Sequence, residues 1–139
     1  MDKRLIENKL ESLRKCMSRV EKKRPSSPDE LHNNLDLQDI ISVNLERAVQ
    51  LCVDIGAHLI SLSEFDAPTS LGETFEILEK MDVISSPTSI QLKKAVGFRN
   101  IAVHAYQKID WNIVYYISQE GLNDFKTFAK EISIYLDNN

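Results

Sequence analysis

Four polar side chains of different chemistry fall within eight residues of the chain: Arg99, Asn100, His104 and Tyr106. Arginine is a permanent cation whose planar guanidinium matches phosphate oxygens, and histidine exchanges protons near neutral pH. The residues between them are small or apolar and bring no competing polar group. Together these side chains make this segment the candidate for carrying chemistry.

A helix through this segment would order the four side chains. Arg99 and Tyr106, seven residues apart, would share one face, and Asn100 and His104 would share the next, so that a polar stripe runs along an otherwise buried-looking segment. Taken singly, each has an ordinary structural interpretation: His104 as a satisfied core histidine, Tyr106 as a packing residue and Arg99 as a surface ion-pair partner. The combination favours a functional site.

Other familiar sites are absent from the sequence. The four glycines are too scattered for a phosphate-binding loop, and neither HExxH nor GxSxG occurs. Cys16 and Cys52 lie far apart without a CxxC pair, which predicts neither a zinc site nor a disulfide framework. We therefore expect no metal and no cofactor.

Charge is unevenly distributed although the net charge is only −4. Between Arg14 and Arg24 there are six basic residues and one acid, and Ile90 to Lys108 holds four basic residues and no acid. Pro25 to Ser89 carries twelve acids against two basic residues. Such runs are usually solvated helix faces, but this distribution also permits an anionic substrate that meets only part of the surface.

Apolar spacing predicts a single all-α domain over residues 1–139. Apolar residues recur at steps of three and four in a leading helix ending near Arg24, where a Pro-Ser-Ser-Pro segment follows, and in a long second helix from Leu37 to Ile60. No segment shows the sustained alternation of β-strands. We expect an up-and-down helical bundle of four main helices plus a shorter fifth.

Capping signals mark the later helices. Ser70 and Glu73 have the spacing of a capping box at the start of the short helix, and Pro87 suits the first turn of the helix that reaches the polar segment. Asp110 can cap the last helix, which Gly121 is expected to kink or divide. The first nine residues are charged and no long apolar run follows, so we expect a cytoplasmic protein without a membrane span.

The spacing Arg99-x4-His104-x-Tyr106 resembles the RX4HXY motif of HEPN domains, specifically HepT toxins paired with MntA-type nucleotidyltransferase antitoxins. The resemblance extends over nearly the whole chain and includes the polar Asn100 after the arginine. It implies a HEPN-like fold and a metal-independent endoribonuclease that acts on RNA through the 2′-OH, leaving a 2′,3′-cyclic phosphate.

The chemistry of RNA cleavage assigns roles to the motif. Arg99 would hold the phosphorane and His104 would transfer protons, and because one imidazole does not easily serve as both base and acid, a homodimer would bring two copies to one cleft. Asn100 and three lysines would hold substrate phosphates without reading sequence; the lysines are Lys93, Lys94 and Lys108.

The resemblance also implies that Tyr106 accepts AMP from the nucleotidyltransferase antitoxin and that this modification (AMPylation) silences the toxin. Negative charge and bulk would then occupy the place where RNA phosphate must sit. The acidic middle of the chain would help to hold a basic antitoxin surface. The alternative function is a non-catalytic HEPN module that binds nucleotide or protein and partners a nucleotidyltransferase.

Overall fold

The computed structural model describes residues 1–139 and contains helices but no β-strand. Four α-helices are long and three are short: α1 (Lys3–Lys22), α2 (Pro28–His32), α3 (Leu35–Ser61), α4 (Leu71–Lys80), α5 (Ser86–His104), α6 (Trp111–Tyr116) and α7 (Leu122–Asp137). A 3₁₀ turn, Tyr106–Lys108, follows α5, and a π-helical turn, Ile117–Gly121, joins α6 to α7.

The four long helices form a closed bundle. Helix α1 packs on α3, α3 on α5 and α5 on α7, while α7 returns to α1. Helix α4 lies against α3 and α5, and its Phe75 meets Phe128 of α7 edge to face, with ring centroids 6.0 Å apart. The predicted all-α bundle of four main helices plus a shorter fifth is confirmed.

The segment after α1 is more ordered than the sequence indicates. Helix α1 ends at Lys22, close to the predicted end at Arg24, and the Pro-Ser-Ser-Pro segment that follows leads directly into a short helix, α2. The Ser27 side chain accepts from the backbone N–H of Glu30, and the fully buried Leu31 anchors this short helix to the core. The proline and serine residues that follow the end of α1 also begin the next helix, with Ser27 as its N-cap and Pro28 as its first residue.

The predicted start of α4 is confirmed in its main feature. The Ser70 hydroxyl accepts from the backbone N–H of Glu73 at 3.1 Å. The Glu73 carboxylate does not return to Ser70, however; it accepts from the backbone N–H and the hydroxyl of Thr69. The backbone N–H groups of Glu73 and Thr69 are therefore both satisfied. In the usual capping box the second of them would belong to Ser70, one residue later.

Helix α5 reaches the polar segment as predicted but ends at His104, so the prediction that Arg99 and Tyr106 share a helix face is wrong. Ala105 leaves helical geometry at φ −149° and ψ 52°, and the 3₁₀ turn follows. No helix-breaking residue marks this end. The turn carries Ile109 into the core, where it is 8% exposed, and burial of that side chain offsets the loss of helical hydrogen bonds.

The last two helices divide where the sequence predicts. Asp110 caps α6, its carboxylate accepting from the backbone N–H of Asn112 at 2.9 Å. The π-helical turn ends at Gly121, where an added Cβ would lie 3.1 Å from a methyl carbon of Ile117. Glycine thus permits the close approach that the wider turn imposes. None of the helices is both long and apolar enough to cross a membrane.

Candidate active site

One face of α5 is open to solvent and carries Asn100 and His104 of the polar segment. Lys93, Gly97, Asn100 and His104 follow one another at steps of four, three and four, and all four are exposed. We call these four residues the α5 stripe. The prediction that Asn100 and His104 share a face is confirmed. Because Gly97 has no side chain, it leaves open backbone in the middle of the stripe.

Arg99 leaves α5 in a different direction from the stripe. At about 100° per residue it lies roughly 140° around the axis from His104. Its side chain is half-buried, whereas His104 is exposed. Neither side chain makes a hydrogen bond within the chain, and Arg99 is in none of its four salt bridges. The alternative of Arg99 as a surface ion-pair partner is therefore not what the structure shows, and both groups remain available to a ligand.

The structure separates the three lysines predicted to flank the site. Lys93 belongs to the stripe and forms a salt bridge of 2.8 Å with Glu76 of α4, which lowers the pKa of that carboxyl. Lys94 and Lys108 instead line a cavity between α5, α6 and α7. Of the three, only Lys93 therefore lies on the same helix face as Asn100 and His104.

This cavity has a volume of about 300 Å³ and does not include Arg99, His104 or Tyr106. Its lining is mainly apolar, with Phe98, Ile101 and Ile113 among the contributors. Asp124 also lines it, and burial raises the pKa of that carboxyl while the charge of Lys94 opposes the rise. The cavity is thus an apolar recess with charged side chains in its lining.

Apolar side chains next to the motif are more exposed than their pattern indicates. Ile101 is 44% exposed and Val103 is 45% exposed, so the expectation of a buried segment is wrong in the single chain. Ile113 and Tyr116, on α6, are exposed as well. Large apolar side chains grouped around a functional motif are typical of a surface that another macromolecule covers.

Tyr106 lies beyond the end of α5 and not on a helix face shared with Arg99. Its hydroxyl donates to the Asp39 carboxylate at 2.8 Å, and its ring meets Trp111 edge to face at 5.9 Å. Burial, followed by the hydrogen bond to Asp39, raises the pKa of the phenol. Sequence reasoning missed Asp39 because it lies on α3, 67 residues away, and no local pattern links the two.

The motif therefore supplies a cation, an exposed imidazole and a nearby phenol. No three His, Cys, Asp or Glu side chains come together as a possible metal site. A guanidinium can stabilise charge on a phosphorane and an imidazole can move protons, so these groups suit phosphoryl chemistry. One chain offers only one such imidazole.

Gly97 provides a test of how open the stripe is. A Cβ added there would meet no atom within 4 Å, and glycine within a helix costs roughly 0.5–1 kcal/mol relative to alanine. We expect Gly97→Ala to raise the free energy of unfolding by about that amount, measured by urea denaturation. A lower free energy of unfolding would contradict the open surroundings of this position.

Comparisons with known proteins match nearly the whole chain. A family model described as "Ribonuclease HepT-like" matches residues 7–132. The chain is 34% identical over 128 residues to the mRNA nuclease HepT of Shewanella oneidensis, covering 92% of this chain and 96% of that protein. It is 26% identical over 132 residues to the tRNA nuclease HepT of Aphanizomenon flos-aquae, covering 95% and 90%.

Solved structures similar to this chain include toxin–antitoxin complexes. The tri-AMPylated HEPN toxin of Shewanella oneidensis, in complex with its MNT antitoxin, superposes with a TM-score of 0.86 at 33% identity, covering 93% of this chain and 96% of that one. A toxin–antitoxin structure with AMP-PNP gives 0.87 at 32% identity, covering 93% and 97%.

Proposed function

Because the chain belongs to the HepT-like ribonuclease family, we propose that it is the toxin of a bacterial or archaeal toxin–antitoxin pair and a metal-independent endoribonuclease. The observation that carries the proposal is the end of α5, where the exposed imidazole of His104 and the unpaired guanidinium of Arg99 lie five residues apart. The similar proteins named above are nucleases, and one is a toxin bound to its antitoxin.

His104 and Arg99 divide the reaction between them. One imidazole takes the proton of the ribose 2′-OH, the 2′-oxygen attacks the phosphorus, and an imidazole from a second copy protonates the leaving 5′-oxygen. Arg99 stabilises the phosphorane through its paired N–H donors. The products are a 2′,3′-cyclic phosphate and a free 5′-hydroxyl, and the step needs no metal.

The site requires a homodimer because each chain carries the motif once. The exposed apolar side chains of Ile101 on α5 and of Ile113 and Tyr116 on α6 line the same recess and are the surface we expect the second copy to cover. Burying apolar area of this kind stabilises association at roughly 25 cal/mol per Å² before the costs of binding are subtracted.

RNA would lie along the α5 stripe. Lys93 and Asn100 can contact backbone phosphates on either side of Gly97, where the absence of a side chain lets a ribose-phosphate chain approach the helix. Lys94 and Lys108 contribute positive charge from the neighbouring cavity and attract RNA at longer range. The chain would act where its RNA substrate is found, in the cytoplasm.

The toxin would be silenced by AMPylation of Tyr106. The similar Shewanella toxin is tri-AMPylated and bound to an MNT antitoxin. We propose that an MntA-type nucleotidyltransferase binds this chain and transfers AMP to the phenol. The added phosphate would place negative charge and bulk two residues beyond His104, where they repel RNA phosphate.

The decisive experiment is RNA cleavage by the purified, unmodified chain in the presence of a chelator. We expect cleavage with cyclic-phosphate ends that is retained after metal removal and is lost when the chain is first incubated with the nucleotidyltransferase, ATP and Mg²⁺. Intact mass before and after that treatment reports the modification. A chain that binds the nucleotidyltransferase without cleaving any RNA would instead be the non-catalytic module, and strict dependence on added Mg²⁺ would contradict the mechanism.

A further inference from the structure

Tyr106 is held by a carboxylate from a distant helix. Its hydroxyl donates to Oδ1 of Asp39 at 2.8 Å, and this bond ties the turn after α5 to α3. The Trp111 ring supports the phenol from another side, with ring centroids 5.9 Å apart. Tyr106 is nevertheless 41% exposed, so its side chain is both held in position and reachable from solvent.

The surroundings of this phenol keep it protonated. Burial comes first among the effects that raise its pKa, and the hydrogen bond to Asp39 adds to the rise. The negative charges of Asp39 and Glu46 act in the same direction, with only the Ser42 hydroxyl opposing them. A neutral phenol is a weak nucleophile, so it needs a base that removes its proton as it reacts.

We propose that Asp39 is the proton acceptor for Tyr106 when AMP is transferred to it, an inference that rests on the proposed function above. The phenol oxygen attacks the α-phosphorus of ATP and forms an oxygen–phosphorus bond. The bond from the α-phosphorus to the oxygen that bridges it to the β-phosphorus breaks, and pyrophosphate leaves. The phenol proton passes to Oδ1 of Asp39, already within hydrogen-bond distance.

This arrangement also explains why Tyr106 would be modified in preference to its neighbours. Tyr116 is 59% exposed in the single chain, but it lies on the surface that the second copy is expected to cover. The hydroxyls of Tyr115, Tyr116 and Tyr135 make no hydrogen bond, whereas Tyr106 has a carboxylate on its oxygen. The carboxylate on its oxygen is what distinguishes Tyr106 from the other tyrosines.

Asp39→Asn separates proton acceptance from positioning. The asparagine side-chain oxygen can still accept the phenol hydrogen bond, but a carboxamide does not take up the proton. With the nucleotidyltransferase and ATP, we expect the kcat of modification to fall by about 10²-fold or more with little change in KM for the toxin, followed by intact mass over time. Asp39→Glu restores a carboxylate and should recover part of the rate.

Glu46→Gln is the matched control. Glu46 lies on the same helix and influences the phenol through its charge, but it makes no hydrogen bond to it. This variant loses the same unit of charge and should be modified at the wild-type rate. Circular dichroism and the oligomeric state establish that each variant is folded.

Three results would overturn the inference: a wild-type rate for Asp39→Asn, an equal loss in Glu46→Gln, or an effect on KM alone, which would assign Asp39 to docking. Failure of the proposed function looks different, because the wild-type chain would then carry no AMP on Tyr106 at all. Peptide mass spectrometry of the wild-type reaction separates the two cases.

Discussion

His104→Ala is expected to abolish RNA cleavage and growth inhibition while leaving a folded dimer. A positioned acid or base typically contributes about 10²–10⁴-fold to a rate, and in a symmetric dimer the substitution removes both imidazoles from each site. The fold should tolerate the change because His104 is exposed and makes no hydrogen bond within the chain. Cleavage of labelled RNA and the thermal unfolding midpoint, measured on the same preparation, test both halves of this expectation.

A control histidine is available elsewhere on the surface. His32 of α2 is also exposed, and its Nε2 lies 3.3 Å from the side-chain oxygen of Asn112. His32→Ala should therefore cleave RNA at close to the wild-type rate. Undiminished cleavage by a folded His104→Ala protein would remove His104 from the mechanism.

Mixed dimers sharpen this test. When His104→Ala is co-expressed with the wild type, each heterodimer holds a single His104 imidazole. If both imidazoles serve one reaction, the activity of purified heterodimers falls well below half that of the wild type. If each subunit works alone, it stays close to half, and the composite site is wrong.

Tyr106→Phe is expected to give a toxin that its antitoxin cannot silence by modification. Phenylalanine keeps the ring against Trp111 but removes the oxygen that would accept AMP. The lost hydrogen bond to Asp39 joins two exposed side chains and contributes on the order of 1 kcal/mol, so the fold should survive. The variant should still cleave RNA at least in part and remain active after incubation with the nucleotidyltransferase and ATP.

Tyr116→Phe serves as the matched control, since it removes the same hydroxyl from a tyrosine of the adjoining helix α6 that has no carboxylate on its oxygen. That variant should be modified and silenced like the wild type. Mass spectrometry of the peptide containing residue 106 should show added AMP in the wild type and in Tyr116→Phe only. If Tyr106→Phe is still modified and neutralised, the acceptor is another residue.

The helices and the motif can be predicted from the sequence because they depend on local chemistry. Apolar residues at steps of three and four determine which faces of α1 and α3 are buried, because a helix repeats every 3.6 residues. Ser70 and Asp110 start their helices because a side-chain oxygen meets orphan backbone N–H groups. Arg99, His104 and Tyr106 are recognised by residue type and spacing, which are also local properties.

Only the tertiary structure decided how these parts meet. Helix α5 ends at His104 without a breaking residue because the following turn buries Ile109 in the core, and that end moves Tyr106 off the face of Arg99. The bond between Tyr106 and Asp39 depends on the packing of α3 against α5. The spacing of residues along the chain does not predict such contacts, because each depends on the free energy of the whole packed chain.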